Sequence, residues 1–129
     1  MESSKDARPP AAAIGSSVAT VEPFDGGLIV TVTGEVDLAS SPGLMLALDE
    51  AVEASERVVI DLGRAAFVDS TALAGIVRAA QRLDPEMRRL GVVLRPGSQP
   101  ARVWKLCGLS PPIPSFVSRA DAARVLAGV

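Results

Sequence analysis

The side chains best suited to chemistry stand at two places: Glu35 and Asp37 after one apolar run, and Asp69, Ser70 and Thr71 after another. The second group opens the stretch Ala72–Leu83, in which Leu73, Ile76, Val77, Ala80 and Leu83 recur at helical spacing and predict one buried stripe. Asp69 or Ser70 is a natural N-cap, because its side-chain oxygen takes an orphan N–H of the first turn. Ser70 then has two readings: a plain helix cap, or a serine hydroxyl at a helix N-terminus, where N–H groups and the helix dipole both favour a phosphate. The opposite stripe is Thr71, Gly75, Arg78 and Arg82. It has two readings: a docking face, where Gly75 admits a close approach and Arg78 pairs with a partner carboxylate, or a solvated helix face. Asp61, set inside an apolar run, reads as a hydrogen-bonded structural acid.

Composition removes several kinds of chemistry. The sequence has no His, so neither a Ser-His-acid relay nor a His-ligated metal site can be built. A hydrolase with Ser70 as nucleophile would have only carboxylates or the distant Lys105 as base, so the reading is of a protein with no catalytic residues and no metal. Thirteen basic residues against fifteen acidic ones give a net charge of -2, which argues against nucleic acid. Aromatic residues make up 3%, too few for base-stacking platforms. The single Cys107 excludes an internal disulfide and is expected as a small buried side chain. No apolar run approaches the roughly 18 residues that span a bilayer. Glu2 and Asp6, with no apolar core after them, do not make a secretory signal, so a cytoplasmic location is expected.

The elements that must position these groups follow from periodicity. Residues 1–15 are rich in Ser, Pro and Ala and read as a flexible tail, leaving 16–129 as one domain. Val18–Glu22 and Leu28–Thr33 read as antiparallel strands joined by turn residues Pro23 to Gly27. Ser41-Pro42 reads as N-cap and first helical residue, with Leu44, Leu48, Ala51 and Val52 facing inward. Val58–Leu62 is a strand buried on both faces, and Gly63 to Ala66 a connection. Gly91–Leu94 is another buried strand, and Ser98-Gln99-Pro100 starts a helix that Gly108 ends. Ile113–Phe116 is at best a short edge strand. Ser118–Asp121 opens a last helix burying Ala122, Val125 and Leu126.

This order predicts an α/β fold: a mostly parallel sheet of four to five strands, an antiparallel edge strand and about four helices. Sites in such sheets lie where strands give way to helices at their carboxyl ends. If the strands ending at Val36 and Val68 are neighbours, Glu35 and Asp37 converge with Asp69, Ser70 and Thr71 on one rim.

Gly34-Glu35-Val36-Asp37, Val59-Ile60-Asp61-Leu62 and Phe67-Val68-Asp69-Ser70-Thr71, in this order, resemble a STAS domain of the anti-sigma factor antagonist type. Val103–Leu109 resembles the family's third helix with its Gly-Leu ending, and the likeness spans residues 16–128. The resemblance implies a bacterial partner-switching protein. Unphosphorylated, such an antagonist binds an anti-sigma factor that is itself an ATP-dependent serine kinase, and a sigma factor is released. Phosphorylation breaks the complex and a serine phosphatase restores it; the antagonist holds no cofactor, ATP being used by the kinase. By this likeness Ser70 is the phosphoacceptor, with Thr71 the alternative. Glu35, Asp37, Asp69, Ser70, Thr71, Gly75 and Arg78 form the expected partner footprint, on a monomer or weak dimer. Where the family usually has Gly after the two hydroxyl residues this chain has Ala72, whose methyl is expected to limit how closely a partner backbone approaches. The same fold could instead serve as a lipid- or nucleotide-binding or transporter-regulating module, which predicts an apolar pocket, or as a stressosome-type scaffold.

Overall fold

The computed structural model describes residues 18–129, so the predicted tail lies outside the described residues and the domain start at 16 just beyond them. The described residues open with β1 (Val18–Phe24) and β2 (Gly27–Val36). They pair antiparallel, Val18 opposite Thr33 and Phe24 opposite Gly27. Asp25 and Gly26 alone make the turn, both at positive φ (47° and 83°), the conformation whose twist matches a two-residue hairpin. Pro23 therefore sits in the edge strand rather than the turn, where a missing N–H costs nothing.

Then follow α1 (Ser41–Ala54), β3 (Val58–Val68), α2 (Ser70–Leu83), β4 (Leu90–Val93), α3 (Gln99–Leu106), β5 (Ser115–Phe116) and α4 (Arg119–Leu126). The sheet order is β1-β2-β3-β4-β5, parallel everywhere except β1 against β2. This is the predicted mixed sheet with its antiparallel edge and four helices. Among the described residues no helix is long and apolar enough to cross a membrane.

Strand β3 departs from expectation. The strand continues past Gly63 to Val68, so the predicted connection at 63–66 is strand. Two register shifts against β2, between Thr31 and Thr33 and between Gly34 and Glu35, absorb the extra residues. Each shift breaks the alternation by which a strand is recognised. The start of α1 also differs: Ser40, not Ser41, is the N-cap residue, and it makes no side-chain cap bond. Its hydroxyl is occupied by the preceding loop, accepting from the Asp37 amide at 3.0 Å.

The core divides by sheet face. On one face α1, α2 and Trp104 of α3 bury Val30, Val32, Ile60, Leu62, Val92 and their neighbours. On the other, α4 covers Ile29, Val59 and Val93 with Ala122 and Leu126. Val125 is exposed, because the short α4 has only one side against the sheet. Cys107 is exposed too. Helix α3 buries Pro100 and Trp104, one turn apart, and Cys107 is its C-cap, past the last helical residue.

Candidate functional site

Strands β2 and β3 lie side by side and parallel, with Glu35 opposite Phe67 and Val36 opposite Val68. Their carboxyl ends therefore form one rim. The Asp69 amide donates to the Val36 carbonyl at 3.1 Å, carrying the pairing one residue beyond the strand. Asp37 follows Val36 and Ser70 follows Asp69, so the two predicted groups are brought together.

Asp69 is the N-cap of α2. Its backbone is extended, its Oδ1 accepts from the Ala72 amide at 2.9 Å, and its carbonyl accepts from the Leu73 amide at 3.1 Å. That leaves Ser70 as the first helical residue, exposed, with Thr71 exposed beside it. The hydroxyl is thus not consumed by capping; the acid before it does that work. Ala72 is fully buried, so its methyl faces the core and not a partner, contrary to the limit on partner approach expected from the sequence.

The acid at the end of β2 is built into its own loop. Asp37 Oδ1 accepts from the Ala39 amide (3.1 Å), the Ser40 amide (3.1 Å) and the Ser40 hydroxyl (3.0 Å). The Ser40 hydroxyl also reaches the Glu35 carbonyl at 3.1 Å. These bonds, the Ser40 hydroxyl foremost, hold the Asp37 carboxyl below its ordinary value of 3.8, so it is a firm anion on the rim. Glu35 is exposed beside it.

The predicted stripe on α2 separates. Arg78 is exposed and pairs with no acid among the described residues. Arg82 bonds Asp49 of α1 at 2.6 Å and so ties the two helices together. Gly75 is buried: a Cβ there would collide with the Met45 Sδ and Cε on α1. Gly75 is a close-packing position between helices, which corrects its expected place in an open footprint. The small residue on the open face is Ala74, between Thr71 and Arg78.

Some exposed groups near this rim were not singled out from the sequence. Leu38 stands 76% exposed in the β2–α1 loop, and Leu46 lies 53% exposed on α1, one residue from Met45. Phe67, opposite Glu35, is 40% exposed. Leu46 falls outside the Leu44–Leu48–Ala51 stripe, and that is the available signal. The apolar groove of about 300 Å³ bounded by Leu94, Pro96, Ala101, Phe116 and Val117 lies at the ends of β4 and β5, and its lining does not include Ser70. Among the described residues no cluster of His, Cys, Asp or Glu could hold a metal ion.

Comparison with known proteins agrees with this architecture. An anti-sigma factor antagonist from Mycobacterium paratuberculosis superposes with a TM-score of 0.79 at 30% identity, covering 87% of this chain and 95% of that one. SpoIIAA in its unphosphorylated form gives 0.65 at 15% identity, over 87% of this chain and all (100%) of that one. The phosphorylated Bacillus SpoIIAA gives 0.60 at 18% identity, over 84% and 99% of the two chains; at such identities the likeness concerns the fold. No curated protein matches the sequence. The family profile for the STAS domain matches residues 18–122, from β1 into α4, and with it the chain belongs to the STAS domain family.

Proposed function

We propose that this chain is an anti-sigma factor antagonist working by partner switching in the cytoplasm, with Ser70 as the switch. The observation that carries the reading is the exposed Ser70 hydroxyl, first in α2 and freed from capping by Asp69. The 30% identical antagonist from Mycobacterium paratuberculosis supports the partner class. SpoIIAA, which shares the fold, is described both with and without phosphate, which supports a domain that tolerates the group.

In this reading the unphosphorylated rim docks an anti-sigma factor kinase and a sigma factor is released. Leu38, Leu46 and Ala74 supply apolar contact, while Glu35, Asp37, Asp69 and Arg78 set the charge pattern. Phosphoserine adds about 1.5 to 2 negative charges and three acceptor oxygens. At a helix N-terminus the dipole and N–H groups offset part of that charge, so the domain keeps its fold. A partner surface shaped for a neutral hydroxyl beside Asp69 and Asp37 meets unpaired like charge instead, which costs several kcal/mol. A serine phosphatase resets the switch.

The test is to incubate the protein with candidate anti-sigma factor kinases and ATP and to locate phosphate by mass spectrometry. Phosphate on Ser70 with loss of the kinase complex is the expected result. Phosphate confined to another residue, or a Ser70 phosphoprotein that still binds, overturns the reading.

A further inference from the structure

Strand β3 outruns its neighbour. Its pairing with β4 ends at Asp61 opposite Val93, yet β3 continues to Val68. On the side where β4 stops, the end of β3 has backbone donors and acceptors to satisfy. At Val68 a side chain takes the place of the missing strand: Gln99 Oε1 accepts from the Val68 amide at 2.9 Å, and Gln99 Nε2 donates to the Val68 carbonyl at 3.0 Å. A carboxamide carries donor and acceptor side by side, as a paired backbone does.

Gln99 is itself held. It is the first residue of α3, the Ser98 hydroxyl before it accepts from the Ala101 amide and donates to the Arg95 carbonyl at 2.7 Å, and Pro100 after it has a fixed φ. On the opposite flank the Asp69 amide is bonded to Val36. The step Val68–Asp69 is therefore gripped from both sides, and Ser70 is the next residue.

We propose that Gln99 is a positioning residue for the Ser70 site: acting through Val68, it makes α3 the element that fixes where α2 begins and which way the Ser70 side chain leaves the rim. The functional part of this proposal rests on the reading of Ser70 as the switch. The geometric part does not.

The test compares wild type with Gln99→Met and Gln99→Glu in the full chain. Gln99→Met keeps the length of the side chain and removes both bonds, so exchange of the Val68 amide quickens about tenfold, the worth of one net hydrogen bond. In Gln99→Glu the ionised carboxylate still accepts from the Val68 amide but faces the Val68 carbonyl with no donor. Once protonated, the introduced carboxyl donates there, so the NMR shifts of Val68 and Asp69 return toward wild type on acidification in this variant alone. A side chain that made no bond to Val68 would give no such pH profile. The position of the Ser70 side chain is read by Ser70→Cys in a Cys107→Ser background, alkylated with iodoacetate. A helix N-terminus lowers a thiol pKa, so adding Gln99→Met slows alkylation at neutral pH by about threefold.

Unchanged Val68 exchange, no pH profile, or unchanged alkylation overturns the proposal. Should Gln99→Met fail to fold, Gln99→Glu takes its place in the Ser70→Cys, Cys107→Ser background, where alkylation should again slow relative to the parent. Failure of the switch reading is separate: it shows as a kinase that leaves Ser70 unmodified while the Gln99 variants still move Val68 and the thiol.

Discussion

The Asp69 amide hydrogen-bonds the Val36 carbonyl at 3.1 Å, so the end of β2 and the start of α2 share one rim. Charge added at Ser70 therefore appears on the surface that Glu35 and Asp37 also line, and not inside the core. Ser70→Asp is expected to melt within about 4 °C of wild type, since a helix-terminal acid shifts stability by no more than about 1 kcal/mol. On the proposed function, its affinity for an anti-sigma factor kinase should fall more than about a hundredfold, at tenfold per 1.4 kcal/mol. Ser70→Ala should bind as wild type and resist switching. Thermal melting by circular dichroism and calorimetric titration check the pair; a melted Ser70→Asp protein defeats the account.

Gly75 and Ala74 are neighbours in sequence with opposite surroundings, one against Met45 and one in solvent. Gly75→Leu overpacks the α1–α2 contact and should cost about 1–3 kcal/mol in denaturant unfolding. Gly75→Ala should be far milder, because the colliding atoms are the flexible tip of Met45 and alanine gains about 1 kcal/mol of helix propensity. Ala74→Arg should leave stability within about 0.5 kcal/mol, as surface changes do. It should nevertheless block the partner. If Ala74→Arg binds normally, the open face of α2 is not the docking face.

How far these positions could be read beforehand depends on where their partners lie. The run Val58–Leu62 announced a buried parallel strand because its information is local, and Asp69-Ser70-Thr71 announced a helix start for the same reason. Gly75 reads from the sequence as an open-face residue, since an amphipathic pattern does not say whether a glycine faces water or another helix. The spacing of Ala72, Gly75 and Ala79, all buried, was the signal of close packing. The end of β3 was hidden by its two register shifts. Ser40 was hidden because a neighbouring Ser-Pro looks like the better cap. Gln99 had no local signature at all: its bond to Val68 spans 31 residues of sequence.

The structural role read for Asp61 can be tested through its partner. Asp61 is buried, its Oδ1 accepts from the Gly63 amide at 2.8 Å, and its Oδ2 meets Arg119 Nε at 2.6 Å. Arg119 also donates to the Thr31 hydroxyl at 2.9 Å, tying α4 to β2 and β3. Removing one member of a buried pair costs about 3–5 kcal/mol, and because Arg119 is partly exposed about 2 kcal/mol is expected for Arg119→Ala. Partner affinity should not move, because α4 covers the sheet face opposite α1 and α2. Loss of binding in a folded Arg119→Ala protein would place the docking surface on the wrong face.

Asp37 makes the rim loop sensitive to acid. The bond from the Ser40 hydroxyl, followed by those from backbone amides, holds its carboxyl below the ordinary 3.8, so the folded loop favours the ionised form. For a depressed carboxyl, the stabilisation is full above the unfolded value and disappears as pH falls through the folded one. The loop should therefore be unchanged across neutral pH and loosen only below about pH 4, where an unfolded aspartate takes up its proton. Amide exchange at Ala39 and Ser40, whose N–H groups bond the Asp37 carboxylate, is the measurement. The exchange rates, corrected for intrinsic pH dependence, should rise in that window and stay flat in Asp37→Asn, whose amide oxygen accepts the same bonds without titrating. A wild-type loop that opened instead near neutral pH would mean that a different group governs it.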